Sequence, residues 1–299
     1  MPRFAANLNW LYAELPWPER FGAAARDGFT AVEMASPYVW PAIELKALLD
    51  HHGLELVLIN APPGGHDPAG VEAARQASRK GTACVPGLEA EFRAGLAMAM
   101  NYAVALDGPR IHVQAGVVPD GLAREDVRPT YIANLRHAAT EAAARGLALL
   151  VEPINRRDIP GFFLNRQDHA HEIVEEVGAP NLQVQMDLYH CQVVEGDLSM
   201  KLRHYLPTGR VGHIQVAGVP GRHEPDVGEI NYPSLFALID ALGYTGWVGA
   251  EYTPQRGSAP GATTDGLGWL RSELKATAAR AERSGLGHGA RVLEDAEVG

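Results

Sequence analysis

Four polar side chains stand at the ends of four apolar runs in the second half of the chain. They are Glu152 in LALLVEPIN, Asp187 in LQVQMDLYH, Gln215 in VGHIQVAG and Glu251 in GWVGAEYTP. Three carboxylates and an amide gathered in one place repel one another unless a cation joins them. Carboxylate and amide oxygens suit hard cations, and magnesium and manganese favour six-coordinate oxygen sites that keep positions for water or substrate. The set contains no thiolate. The expected centre is a Mg²⁺ or Mn²⁺ ion held by Glu152, Asp187, Gln215 and Glu251. A lone glutamate at a strand end is often a structural ion-pair partner. Four at matching positions, in runs otherwise poor in charge, point to a shared ligand.

Other polar residues flank these four. His190 follows Asp187 by three residues, and His213 precedes Gln215 by two, which puts both members of the second pair on one face of a strand. Each histidine is expected to touch a substrate oxygen or to orient a metal ligand, the alternative being a core histidine satisfied by backbone. Arg222 and Glu224 lie in the following loop and are also expected substrate contacts. An arginine there could clamp a carboxylate with its planar fork, with a surface ion pair as the competing use. Asn7, Asn9 and Glu33 are secondary candidates for lining the same mouth. Trp10 and Tyr12 are expected to wall it, and His112 to be structural or barrel-lining.

The elements that would position these residues are legible in outline. The intervals between the four are 35, 28 and 36 residues, about one strand–helix unit each. Parallel neighbours need such a crossover, usually helical. Short apolar runs at 4–9, 31–35, 55–60, 110–114, 147–152, 182–187, 211–216 and 247–251 make eight strand candidates. Helical stretches are expected at 18–27, 41–52, 88–106, 126–145, 166–178, 232–242 and 264–284, with a weaker one near 197–206. Six of these stop at a glycine (Gly28, Gly53, Gly146, Gly178, Gly243 and Gly285), a frequent helix terminator. Eight alternating units predict a single (β/α)8 barrel over 1–284, with the polar groups at the C-terminal strand ends, where such barrels build their sites. Two long connections, 60–87 and 217–232, would follow strand ends, where loops commonly carry function. Residues 285–299 show no period and are expected to be a flexible tail.

Composition narrows the function. The chain has 299 residues, 26 basic against 36 acidic, for a formal charge of −10. Nucleic-acid binding depends on neutralising phosphates, so the charge argues against that partner. No run approaches the roughly 20 apolar residues of a membrane span. The start MPRFAANLNW lacks a signal-peptide core, which predicts a cytoplasmic protein. Cys84 and Cys191 form no metal-ribbon or disulfide pattern. There is no phosphate loop, no dinucleotide fingerprint and no nucleophile elbow, so no organic cofactor is expected. The apolar helices are compatible with a homo-oligomer.

Several blocks resemble a known family. VEPINRRDIPGFFLN, QMDLYHCQVVEGDL, HIQVAGVPGRHEPDVGEINY, GWVGAEYTP and GTACVPGLEAEFRAG together are similar to the hydroxypyruvate isomerases, within the xylose-isomerase-like TIM barrels. The likeness runs over about residues 1–275. It implies that Glu152, Asp187, Gln215 and Glu251 are the metal ligands and that Glu152 and Glu251 are also the catalytic pair. The implied activity is interconversion of hydroxypyruvate and tartronate semialdehyde through an enediolate. The implied partner is a small hydroxy-oxo acid or sugar. Departures from the family pattern (Leu88, the GVPGRHEP loop, and a longer TPQRGSAPGATTDG) touch the substrate-facing segments. The same centre would serve a 2-oxo-tetronate isomerase or a ketose 3-epimerase. A non-catalytic ligand-binding barrel is a further alternative. A phosphodiesterase like endonuclease IV would call for a His-rich zinc cluster and a basic groove.

Overall fold

The computed structural model describes residues 2–276. Eight strands form a closed, all-parallel barrel in chain order: β1 (Arg3–Asn7), β2 (Ala31–Met34), β3 (Glu55–Asn60), β4 (Arg110–His112), β5 (Ala148–Val151), β6 (Leu182–Asp187), β7 (Val211–Val216) and β8 (Trp247–Ala250). β8 pairs with β1 over Arg3↔Trp247 to Ala6↔Ala250, which closes the ring. Each expected strand is present, and β3, β6 and β7 have the predicted limits. The other five end one or two residues sooner, where the chain turns into the loops of the upper rim.

The helices are α1 (Trp17–Arg26), α2 (Ala42–His52), α3 (Pro68–Gln76), α4 (Glu89–Ala105), α5 (Arg124–Ala143), α6 (Gln167–Val177), α7 (Leu188–Val194), α8 (Leu198–Tyr205), α9 (Tyr232–Ala241) and α10 (Ala262–Gly266). α5 shows why they dock as they do. Its buried residues Val127, Tyr131, Leu135, Ala138 and Ala142 recur every three or four positions, the stripe a helix presents to a core. Gly53 and Gly178 cap α2 and α6 in the left-handed conformation, as the glycine stops predict.

Two helices were not expected. α3 lies inside the 60–87 connection, started by Asp67, whose side chain accepts from the Gly70 amide at 2.8 Å. Asp-Pro at a helix start is a recognisable cap followed by a preset first turn. α7 begins directly after β6. The predicted helix 264–284 begins two residues early as α10, and its end, with the 285–299 tail, lies outside the described residues. Among those residues no helix is long and apolar enough to cross a membrane.

The main core lies between sheet and helices. A second, small apolar cluster (Ala5, Ala31, Val57, Leu58, Leu150 and Trp247) is separate from it. Strand alternation places the residues two positions further along β1, β2 and β5 above that cluster, and these are Asn7, Glu33 and Glu152. The barrel interior therefore has an apolar floor and a polar upper storey. Beneath β1, Phe4 meets Phe236 and Trp269 edge-on, with ring centroids 5.0 and 5.2 Å apart. Phe236→Ala is expected to cost about 3–5 kcal/mol, read by denaturant unfolding. A loss under 1 kcal/mol would show that α9 does not anchor this side of the barrel.

Candidate active site

β5 to β8 deliver the four polar residues to one end of the barrel. Asp187 is in register with Gln215, and Gln215 with Gly249. Glu152 and Glu251 each follow the last residue of their strand. All four are buried. Asp187 also caps α7: its Oδ1 accepts from the amides of Tyr189 (2.7 Å) and His190 (3.1 Å). The side chain is thereby held with Oδ2 free. That atom and Glu152 Oε1 are both buried without a hydrogen-bond partner. Orphaned carboxylate oxygens are costly in a protein interior, so the donor set fits a bound cation.

Glu152, Asp187 and His190 offer ligand atoms within 4.8 Å of one another. The role of His190 depends on its tautomer. Asn155 Oδ1 accepts the Asp158 amide at 2.8 Å, and its Nδ2 donates to Asp158 Oδ2 at 3.2 Å. That fixes the amide's orientation. Its Nδ2 and the Asn155 backbone amide then face His190 Nδ1 at 2.7 and 3.4 Å. The hydrogen-bond network thus assigns Nδ1 as acceptor and places the ring proton on Nε2. Nε2 points at Glu152 Oε1 (3.9 Å) and Asp187 Oδ2 (3.8 Å). Burial, with Arg222 nearby, holds the imidazole well below its usual range, so it is neutral. In this form His190 is an N–H donor into the site, and serving as a metal ligand through Nε2 would require the other tautomer.

Gln215 and Glu251 are engaged differently. Gln215 Nε2 donates to Glu33 at 2.8 Å, and its Oε1 accepts from Gln185 at 2.6 Å. Glu251 Oε2 accepts from Arg222 at 2.5 Å, and its Oε1 from Asn7 at 3.1 Å. Burial pushes the Glu251 carboxyl up to about 8, against the opposing pull of Arg222. Glu152 is driven well above the ordinary range by burial, then by Glu251 and Asp187. Asp187 shifts the same way through burial, opposed by Arg222. Packed anions with too little compensating charge are what a metal site looks like electrostatically.

Glu152, His190, Arg222 and Glu251 line a cavity of about 740 Å³ at this end of the barrel, together with Trp10, Lys80, His112, Arg157, Asp158 and Tyr189. The Arg222 guanidinium lies over the rings of Trp10 (4.4 Å) and Tyr189 (5.0 Å). Its backbone is left-handed at φ 55°, held by the turn in which its amide reaches the Gly218 carbonyl at 2.8 Å. Gly228 closes the same loop. At φ 116° a Cβ there would lie 2.0 Å from the Val219 carbonyl oxygen.

Two of the expected substrate contacts are not brought to the cavity. His213 is fully buried one layer below Gln215, its Nε2 2.6 Å from Glu33 Oε1. Strand alternation puts it on the correct face but too deep. Glu224 turns away: both its oxygens accept from the Gln255 amide, at 3.1 and 3.0 Å, and tie the loop after β7 to the loop after β8. Conversely, His112 lies at the site, with Nδ1 3.4 Å from Glu152 Oε2. Burial holds it down to about 3, so it too is neutral. Asn155 and Asp158 were not singled out from the sequence, although their N-x-x-D spacing is that of a side-chain turn.

A closed parallel barrel whose upper storey gathers carboxylates defines the class. Residues 21–273 match the family model described as xylose isomerase-like TIM barrel, and the chain belongs to that family. Within it, the chain groups with isomerases. It is 52% identical over 274 residues to the 2-oxo-tetronate isomerase of Cupriavidus necator, covering 92% of this chain and 99% of that one. It is 41% identical over 270 residues to the hydroxypyruvate isomerase of Escherichia coli, covering 90% and 98%. A crystal structure from Brucella melitensis described as an AP endonuclease, family 2, superposes with a TM-score of 0.83 at 42% identity, covering 91% and 99%.

Proposed function

We propose that the protein is a metal-dependent isomerase of short hydroxy-oxo acids, interconverting hydroxypyruvate and tartronate semialdehyde. The observation that carries this reading is the pair Glu152 and Glu251, both buried, both lining one cavity and both raised in pKa, beside two orphaned carboxylate oxygens. A Mg²⁺ or Mn²⁺ held by Glu152, Asp187, Gln215 and Glu251 would polarise the substrate carbonyl and stabilise negative charge developing on oxygen.

The chain's own groups do the rest. Glu251 takes a proton from C3, the hydroxyl-bearing carbon, and the electron pair forms the C2–C3 double bond of an enediol. Glu152 carries the hydroxyl proton from the C3 oxygen to the C2 oxygen. A proton then returns to C2, leaving an aldehyde at C3. Ionisation of Glu251, which a bound cation would favour, gives the carboxylate form that can accept a proton. Arg222 takes the substrate carboxylate and so releases Glu251 from their ion pair. His190 donates Nε2–H to a substrate oxygen.

A second reading, isomerisation of a 2-oxo-tetronate, is favoured by space. A cavity of about 740 Å³ with Arg75, Arg79 and Lys80 also on its wall exceeds the needs of a three-carbon acid. The deciding assay follows both acids with metal-stripped protein, with and without added Mn²⁺ or Mg²⁺, detecting the products directly. Metal-restored turnover of hydroxypyruvate supports the first reading. Turnover of the four-carbon acid alone moves the assignment there, and silence on both with metal bound refutes this class of reaction.

Arg222→Met keeps the apolar stem against Trp10 and Tyr189 and removes the charge. Losing a hydrogen bond to a charged group costs about 1.5–3 kcal/mol, so KM is expected to rise about 10–100-fold, with kcat changing less. Steady-state kinetics check this, and an unchanged KM would remove Arg222 from substrate binding.

A further inference from the structure

Beside the proposed ligands, in the same polar storey, lies a carboxylate that the proton-transfer scheme does not use. Glu33 is fully buried and accepts three hydrogen bonds. They come from Asn7 Nδ2 at 3.0 Å, Gln215 Nε2 at 2.8 Å and His213 Nε2 at 2.6 Å. Glu33 is on β2, while Gln215 and His213 are on β7. β1 and β8 separate those strands in the barrel, so the side chain crosses the interior. The crossing is possible because β8 has no side chain at the point where it passes. A Cβ at Gly249 would lie 1.7 Å from Glu33 Oε1, and Gly249 is the residue in register with Gln215.

We infer that Glu33 is a positioning residue, the buried anion that presents Gln215 and Glu251 to the metal. The inference rests on the metal-isomerase reading above. An amide serves a cation only through its oxygen. Glu33 accepts hydrogen bonds and therefore selects the nitrogen end of Gln215, while Gln185 Nε2 donates to Oε1 at 2.6 Å, which leaves Oε1 a second lone pair for a cation. The link to Glu251 runs through Asn7. Its Oδ1 accepts from the Asn9 amide at 3.1 Å, and its Nδ2 is shared between Glu33 and Glu251, at 3.0 and 3.1 Å. One carboxylate thus bears, directly or through Asn7, on two of the four proposed oxygen ligands. Partners of this kind commonly change metal affinity 10–100-fold when removed.

The test is Mn²⁺ binding to the full chain by calorimetry, without substrate, alongside the fold's thermal stability. Glu33→Gln removes the charge and replaces one of the two acceptor oxygens with an NH2 group facing donors, which loosens the hold on Gln215. Its Mn²⁺ Kd is expected to weaken about 10–100-fold. Gly249→Ala fills the space that Glu33 occupies, removes no polar group, and is expected to weaken binding similarly. Asn7→Ala removes the shared donor to Glu33 and Glu251 but leaves the Glu33 bond to Gln215, and is expected to lower kcat more than it raises KM. Tight Mn²⁺ binding by the unaltered protein with the same Kd in Glu33→Gln overturns the role of Glu33 and leaves the metal reading standing. No Mn²⁺ binding by the unaltered protein overturns both. Should Glu33→Gln fail to fold, Glu33→Asp decides, because it keeps the charge but withdraws it by one methylene. Weakened binding there supports the role, and an unchanged Kd overturns it.

Discussion

Glu251→Gln is expected to lower kcat by about 10²–10⁴-fold, the usual contribution of a positioned acid–base group, while the barrel stays folded. The substitution is nearly isosteric and retains an oxygen for Asn7 Nδ2. What it removes is the basic electron pair and the partner of Arg222. Glu152→Gln is expected to fall by a similar factor for a different reason. Glu152 Oε1 has no donor, so an amide there disturbs few protein contacts; it also removes one charge from the proposed ligand set, so the comparison is made at saturating Mn²⁺. The two variants separate in solvent exchange: in deuterated water, a variant that still removes the C3 proton washes deuterium into substrate without forming product. Pre-steady-state rates and mass analysis of recovered substrate give this directly. Near-normal turnover in both variants would leave no place for the two-glutamate scheme.

Metal addition is expected to stabilise the protein, and more so as pH rises. Glu251 is raised from an ordinary 4.5 to about 8, and Glu152 and Asp187 move in the same direction. A carboxyl raised on folding contributes stability that is fully present below its unfolded value and is lost as pH climbs through the folded one. The metal-free fold therefore weakens between about pH 4.5 and 8 as these groups are forced to ionise together. A divalent cation binds the ionised forms and cancels that penalty, releasing protons as it does. Each tenfold gain in apparent affinity adds about 1.4 kcal/mol at excess metal, or about 2 °C for a chain of this size. The rise in Tm on adding Mn²⁺ should be larger at pH 8 than at pH 5.5 by at least one such step. A Tm increment independent of pH would mean that these carboxylates do not hold the ion.

Much of the barrel was legible because its signals are local. Eight short apolar runs and glycine stops such as Gly53 and Gly178 mark strand and helix limits without knowledge of neighbours. The strand-end polar residues were legible for the same reason, since charge is conspicuous in apolar runs. α3 and α7 escaped because each is a short helix whose start, at Asp67 and Asp187, reads equally well as loop or ligand. The finer roles were not legible, because they depend on what lies across the barrel. His213 shares a face with Gln215 but sits one layer too deep. Glu224 sits in a plausible loop but turns to Gln255. Asn155 decides the tautomer of His190 from 35 positions away in sequence, and Glu33 meets β7 at a separation of 182. No period or spacing encodes such pairings.

Glu224 has a kinetic meaning as well as a structural one. Besides its two bonds to the Gln255 amide, the Thr253 amide donates to the Arg222 carbonyl at 3.0 Å, and His223 Nδ1 lies 2.9 Å from the Thr253 carbonyl oxygen. The segments after β7 and β8 are thus fastened together along one edge of the cavity. Arg222 is carried by one segment, and Glu251 stands at the root of the other. If exchange of substrate for product requires this edge to lift, it lifts as one plate, and the group proposed to grip the carboxylate and the group proposed to take the proton are drawn back in a single step. Release and resetting of the base would then share one barrier, so alterations in the distal 253–261 stretch would register in turnover as strongly as alterations beside the substrate.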